Sequence, residues 1–444
     1  MVCSLAPWPR PFVQGTQTSS PNDTIDPENI EVVLSSSFTE YTLGLRAPTF
    51  EPLLGHGIFT QDGPAWKHSR QLLRPQFASN RHENFEQIQS CVEQLIDAIP
   101  EDGLVDLQPK FFKLTFDTTM FLLFGDAVAT MNWGSVSDQE STFAQAFNVA
   151  QDYLAHRGRL NNLYWLISGS TFRNACKTCH HFVDFAVEKA LETSAERAKD
   201  GQILAASSYV FIDALIAESQ DKKALRDQCL NVLLAGRDTT GCCLTWTFRL
   251  LARHPAILGR LRNEIASTSG LGAVAQPPTR DDLKRMTYLS LVIKEVLRLY
   301  PSVPVNSRSA NKMTTLPVGG GLDGKSPALV RPGEAVGYCV YAMHRRKDIY
   351  GEDADQFRPE RWEGDQLKDV GWGYLPFNGG PRTCLGQEFA LLEVAYTVAR
   401  LIQIYPRIQV PNGESDVTVG EERQTLTLVV ACADGCRVSL GKEV

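Results

Sequence analysis

The chain has 444 residues, 43% of them apolar and 21% charged, the composition of an ordinary globular protein with ample core. Its formal net charge of −7 argues against a general nucleic-acid binder. Eleven cysteines without a short, regular framework suggest reduced thiols and a cytosol-facing location, not a disulfide scaffold.

Residues 1 to about 22 are rich in Pro, Ser and Thr, carry no apolar run and read as a disordered or loosely attached segment. One large catalytic unit is expected over residues 23–444. No stretch of 18 uncharged apolar residues occurs, so a conventional spanning helix is not expected. Trp66-Lys67-His68-Ser69-Arg70 puts Trp66 and Arg70 on one face of a helix, a spacing that also fits a core aromatic beside a solvated cation. Farther on, Phe143, Phe147, Tyr153, Leu154, Leu163, Tyr164, Trp165 and Leu166 make an apolar, aromatic region that suits a lipid-like substrate, or ordinary core packing. Cys176-Lys177-Thr178-Cys179-His180 has the spacing by which c-type haem is covalently attached, and His181 invites a metal reading. With no second ligand pair at zinc-finger spacing, the segment reads as a helix with incidental thiols, and Cys432 and Cys436 as incidental too.

An apolar helix is expected from about Cys229 to Leu251, with Leu230, Leu233, Leu234, Leu244 and Phe248 on its greasy side. Ala235-Gly236-Arg237-Asp238-Thr239-Thr240 interrupts it, which taken alone is a kink in a core helix. Across Tyr288 to Tyr300, Leu289, Val292, Val296 and Leu299 recur at helical spacing, so Glu295 and Arg298 share a helix face. Phe357-Arg358-Pro359-Glu360-Arg361-Trp362 follows, and then Phe377-Asn378-Gly379-Gly380-Pro381-Arg382-Thr383-Cys384-Leu385-Gly386. This loop presents Cys384 in a form suited to holding a haem iron. The run Gln387 to Leu392 reads as a helix, so the sulfur lies near a helix N-terminus, where partial positive charge stabilises a thiolate. The glycines let the backbone approach the ring and aim N–H groups at the sulfur. Phe377 can shield the sulfur from water, and Arg382 can pair with a haem propionate.

Together and in this order, these motifs resemble those of the cytochrome P450 monooxygenases. The resemblance covers nearly the whole chain from Asp26 onward. It implies a mainly α fold with a small β portion, and a b-type haem, with Cys384 as axial iron ligand, between the central helix and the cysteine loop. It implies a buried ion network of Glu295, Arg298 and Arg361, propionate contacts from Trp66, Arg70 and Arg308, and Gly236 leaving room over the haem. Asp238 and Thr239 would organise a water chain delivering protons to bound dioxygen, since splitting the O–O bond consumes two protons in a site otherwise kept dry. Electrons would come from NADPH through a separate NADPH–cytochrome P450 reductase, with Lys67, Arg70, Arg74 and Arg382 as a basic docking patch.

Leu53 to Gly63, Trp66 to Phe77 and Phe377 to Leu392 are most similar to fungal hydroxylases of alkanes and fatty acids. The implied reaction is insertion of one oxygen atom from O2 into a C–H bond of a small apolar, aliphatic substrate by a monomeric enzyme. Specificity would lie in the segments 81–101, 142–217 and 303–309. A tailoring oxidase of fungal secondary metabolism is the alternative substrate class; a haem-thiolate isomerase or dehydratase, or a non-catalytic haem protein, is the alternative in kind. Membrane-bound eukaryotic members begin with an apolar anchor that is not visible before Thr24. The enzyme is therefore expected to be peripheral to the endoplasmic reticulum surface, cytoplasmic, or a shortened form of an anchored protein.

Overall fold

The structure is a computed structural model that describes residues 23–79, 81–125, 136–199, 211–272, 275–414 and 417–442. The expected loose segment 1–22 lies outside these residues. The fold is mainly helical with a small β portion, and the chain divides into two compact units. The first takes in the chain up to Thr42, Gln89–Leu114 and Asp238–Val444; the second takes in Leu43–Ile88 and Thr115–Arg237.

Among the described residues every strand is short, pairs antiparallel and belongs to the first unit, and one isolated bridge, Thr24 with Tyr338, is parallel. Val305–Ala310 is the central strand between Tyr41–Thr42 and Ala335–Cys339, with Arg308 opposite Val336. Arg437–Gly441 pairs with both Leu104–Asp106 and Arg407–Gln409, and two hairpins, Thr314–Gly320 with Ser326–Val330 and Gln424–Leu426 with Val430–Cys432, complete the set. Ile30, Val33, Leu34, Val330, Val336 and Met343 form a core beneath the first sheet. The helix Thr287–Leu299 buries Leu289, Val292, Val296 and Leu299, the stripe its period predicts, and buries Glu295 and Arg298 as well.

The second unit is helical. Val136–Arg159 runs along Ser170–Lys199, and Phe116, Phe143 and Phe182 meet between helices, with the Phe143 and Phe182 ring centroids 4.4 Å apart. The apolar region read from the sequence divides here. Phe143, Phe147 and Leu154 are core, whereas Leu163, Trp165 and Leu166, on the 3₁₀ turn Asn161–Leu166, are 51%, 60% and 55% exposed. Buried Arg157 fixes that turn's surroundings: it donates to the carbonyls of Thr49, Ile167 and Pro48 and lies over the Tyr164 and Phe172 rings. Cys176 and Cys179 are buried in Ser170–Lys199, and burial pushes the Cys176 thiol up to about 12. A thiol shut away from solvent and kept protonated is inert.

Candidate functional site

The long helix Lys222–Arg253 begins seven residues before the expected Cys229, and its polar first turns account for the difference. Asp227 and Asn231, both buried, hold the loop after Arg46–Leu54. The His56 N–H donates to Asp227 at 2.9 Å, the Phe59 N–H donates to Asn231 at 3.0 Å, and Asn231 donates to the Leu54 carbonyl at 2.9 Å. The helix thus starts early to satisfy loop N–H and C=O groups that the loop's own Thr60 hydroxyl and Gly57 carbonyl do not reach.

Farther along, Gly236 owes its size to a neighbour. A Cβ there would overlap the Thr119 side chain of the helix Leu107–Phe124, whose Thr115 hydroxyl donates to the Arg237 carbonyl at 2.6 Å. Close helix approach is therefore what this glycine provides. The next residues, Asp238 and Thr239, fall in the first unit. Asp238 is buried and Thr239 half-buried, and the Thr239 carbonyl accepts from the Ser302 hydroxyl at 2.8 Å. Ser302 also accepts from the Val430 N–H at 3.1 Å, tying the C-terminal hairpin to the same point. Nothing in the sequence pattern singles out Ser302.

The cysteine loop is set by its neighbours. Asn378 adopts φ 62° and Gly380 φ 66°, and a Cβ on Gly380 would overlap the Leu34 carbonyl, so only glycine fits there. Tyr338 donates from its hydroxyl to Asn378, which donates in turn to the Arg382 carbonyl, at 3.1 and 3.2 Å. The Cys384 N–H donates to the Phe377 carbonyl at 3.0 Å, closing the loop. The helix Gln387–Ile404 starts two residues beyond Leu385, and its N-cap, Gly386, offers no side-chain cap, so its N-terminal dipole stands beside the cysteine. Among the ten described cysteines, Cys384 alone is exposed; Phe377 and Arg382 are half-buried.

Glu295, Arg298 and Arg361 form one buried network. Arg298 grips Glu295 with Nε and Nη2, both at 2.8 Å, and Arg361 adds Nε at 2.8 Å. The Trp362 indole and the Arg358 N–H also donate to Glu295, at 2.9 and 3.0 Å. The remaining guanidinium donors go to carbonyls, Arg298 to His344, Ala354 and Gln356, Arg361 to Tyr350, Asp353 and Gln356, and Arg361 also donates to the Asp353 carboxylate at 3.2 Å. Arg361 is held above its usual range: burial opposes its charge, but Glu295 and Asp353 outweigh that cost.

Arg308 bears on whether these residues suit a haem. It is 4% exposed; its Nη1 donates to Asn306 and the Ser307 carbonyl, while its Nε has no hydrogen-bond partner among the described residues. A buried guanidinium with a donor unmet fits an anionic group such as a propionate. Trp66 and Arg70 belong to the other unit, on the helix Gly63–Ser79. There Trp66 is buried with the Arg70 guanidinium 5.9 Å from its ring centroid, and Lys67 and Arg74 are exposed along the same helix.

Comparisons with known proteins show the family. The family described as "Cytochrome P450" matches residues 23–427. A "Cytochrome P450" of Arthroderma benhamiae is 61% identical over 423 residues, 95% of this chain and 81% of its own. "Cytochrome P450 52A13" of Debaryomyces hansenii is 43% identical, covering 94% of this chain and 81% of its own length. "Cytochrome P450 52A5" of Candida maltosa is 44% identical, covering 88% and 76%. Among solved structures, a cytochrome P450DA heme domain matches with a TM-score of 0.74 at 20% identity, covering 94% of this chain and 87% of that one, a likeness of fold. The chain therefore belongs to the cytochrome P450 family, monooxygenases that carry a haem on a cysteine thiolate and use O2 with a redox partner.

Proposed function

We propose that this chain hydroxylates an apolar, aliphatic substrate of the alkane or fatty-acid kind, with Cys384 as the axial ligand and residues 23–444 as one catalytic domain acting as a monomer. Electrons come from NADPH through a separate NADPH–cytochrome P450 reductase. The exposure of Cys384 on a closed, glycine-shaped loop beside a helix N-terminus carries the ligand reading. Of the other described cysteines, Cys339 is half-buried and the rest are buried, and burial raises the Cys176, Cys179, Cys229, Cys243, Cys339, Cys432 and Cys436 thiols.

A haem held by Cys384 would supply the activation of dioxygen, with the thiolate pushing electron density toward the iron. Arg308 and Arg382 would hold the propionates, the former through its Nε. Asp238 and Thr239 hold and pass protons from a helix shielded from bulk water, and Ser302 fixes the backbone at Thr239. The similarity of Leu53 to Gly63, Trp66 to Phe77 and Phe377 to Leu392 to fungal alkane and fatty-acid hydroxylases supports the substrate class. Exposed Leu163, Trp165 and Leu166, with Arg159, Arg173 and Lys177 exposed nearby in sequence, support a peripheral membrane contact.

Purified protein, reduced under carbon monoxide, should show the strongly red-shifted Soret band of a thiolate adduct, and Cys384→Ala should abolish it. A normal band in Cys384→Ala, or its loss in a folded Cys176/Cys179 double variant, would sink the assignment.

A further inference from the structure

We propose that His344 is a positioning residue for the haem-ligand loop, its imidazole tying the backbone where that loop begins to the helix of the Glu295–Arg298 network. This rests on the assignment of Cys384 as ligand. The His344 ring is fully buried, and both nitrogens are used. The Leu375 N–H donates to Nε2 at 2.9 Å, so Nε2 carries the lone pair and Nδ1 the hydrogen, which it donates to the Arg298 carbonyl at 3.0 Å. Arg298 lies in the last turn of Thr287–Leu299, where carbonyls lack intrahelical partners, and its Nη1 donates back to the His344 carbonyl at 2.7 Å.

From Leu375 the connection runs straight into the loop. The Leu375 carbonyl accepts from the Asn378 N–H at 3.3 Å, and the Phe377 carbonyl, two residues on, accepts from Cys384. Tyr374 strengthens the attachment, stacking on the His344 ring with centroids 5.2 Å apart and donating from its hydroxyl to the Lys294 carbonyl at 3.0 Å. Burial, with the Arg298 and Arg345 charges adding to it, keeps the imidazole neutral, near 3, so the acceptor at Nε2 persists throughout the working pH range. A neutral ring with both nitrogens engaged is a fixed strut, and neither the proton relay nor the ion network has other use for it.

Two variants separate the hydrogen bonds from the packing. His344→Phe keeps a ring on Tyr374 but leaves the Leu375 N–H and the Arg298 carbonyl unmet, while His344→Gln returns an acceptor near Nε2. In the haem-loaded enzyme, His344→Phe should speed amide exchange at Leu375 and conversion of the carbon monoxide adduct to its shorter-wavelength form, each about tenfold, the effect of leaving the buried Leu375 N–H without its acceptor. His344→Gln should bring both back toward wild type. Wild-type values of both in His344→Phe, or His344→Gln as impaired as His344→Phe, would overturn the proposal in favour of simple packing. Should His344→Phe load no haem, His344→Gln decides alone: retained Leu375 protection and adduct lifetime support the strut, and loss of both overturns it. A wild type with no thiolate adduct would instead refute Cys384 as ligand, and the exchange comparison at Leu375 would still decide the role of His344.

Discussion

Glu295 shows how much one residue's setting changes its meaning. An i,i+3 Glu–Arg pair on a helix surface contributes a few tenths of a kcal/mol, whereas removing one partner from a buried pair costs about 3–5 kcal/mol. Here both side chains are wholly buried and Glu295 accepts from five donors. The sequence exposes the spacing but not the burial, and only motif order raised the pair above a surface one. His344 was illegible, since a lone histidine has no pattern and its partners are backbone atoms far along the chain. It has a pH consequence. Folded, its imidazole titrates near 3; unfolded, near the ordinary 6.5, so between those values the unfolded chain binds a proton that the folded chain refuses. Arg298, Arg345, Tyr350 and Tyr374 surround it, and none supplies a negative charge at neutral pH. The stabilisation from a neutral His344 is full above 6.5 and declines as pH falls, by up to about 1.4 kcal/mol per unit. Between pH 6.5 and 5, above most carboxylate titration, wild-type stability in urea should fall more steeply than that of His344→Gln. Parallel slopes would mean that the ring is protonated in the fold.

At the scale of elements, periodic helices were the most legible part. Thr287–Leu299 and Gln387–Ile404 lie where apolar spacing puts them, while Lys222–Arg253 begins earlier than its greasy side because Asp227 and Asn231 face a loop instead of the core. The Ala235–Thr240 motif was legible as a break in apolar pattern, but the role of its glycine was not, because helix-to-helix distance leaves no mark on one helix's sequence. The structure assigns the missing side chain at Gly236 to Thr119. Gly236→Ala gains up to about 1 kcal/mol of helix propensity and loses about 1–3 kcal/mol to overpacking. We expect net destabilisation of about 1 kcal/mol, seen as a Tm lower by a few degrees and recovered by adding Thr119→Ala. A Gly236→Ala protein of unchanged Tm but impaired haem uptake would return the glycine to the haem side.

For the whole molecule, overall class was legible because haem-thiolate chemistry leaves a contiguous signature around Cys384, whereas substrate choice is spread over segments without one. The aromatic stretch after Thr142 illustrates the difference: Phe143 and Phe147 close a helical core, and Trp165 and Leu166 face solvent a short way on, though both groups read alike in sequence. No helix among the described residues is long and apolar enough to cross a membrane. The exposed turn Asn161–Leu166 is where we propose a peripheral lipid contact. An aliphatic substrate and a lipid contact belong together, because a long chain partitions into the bilayer before it is bound. Each methylene moved from water into the pocket contributes about 0.8 kcal/mol, so Kd in a spectral titration with a homologous series of fatty acids should fall about fourfold per carbon until the pocket is full. Affinity flat with chain length would remove the aliphatic reading in favour of a compact, polycyclic natural product. In parallel, sedimentation with liposomes should be weak and detergent-sensitive, and a Trp165→Ser, Leu166→Ser double variant should reduce it without altering Kd measured in detergent. Sedimentation unchanged in that variant would place the lipid contact elsewhere on the protein.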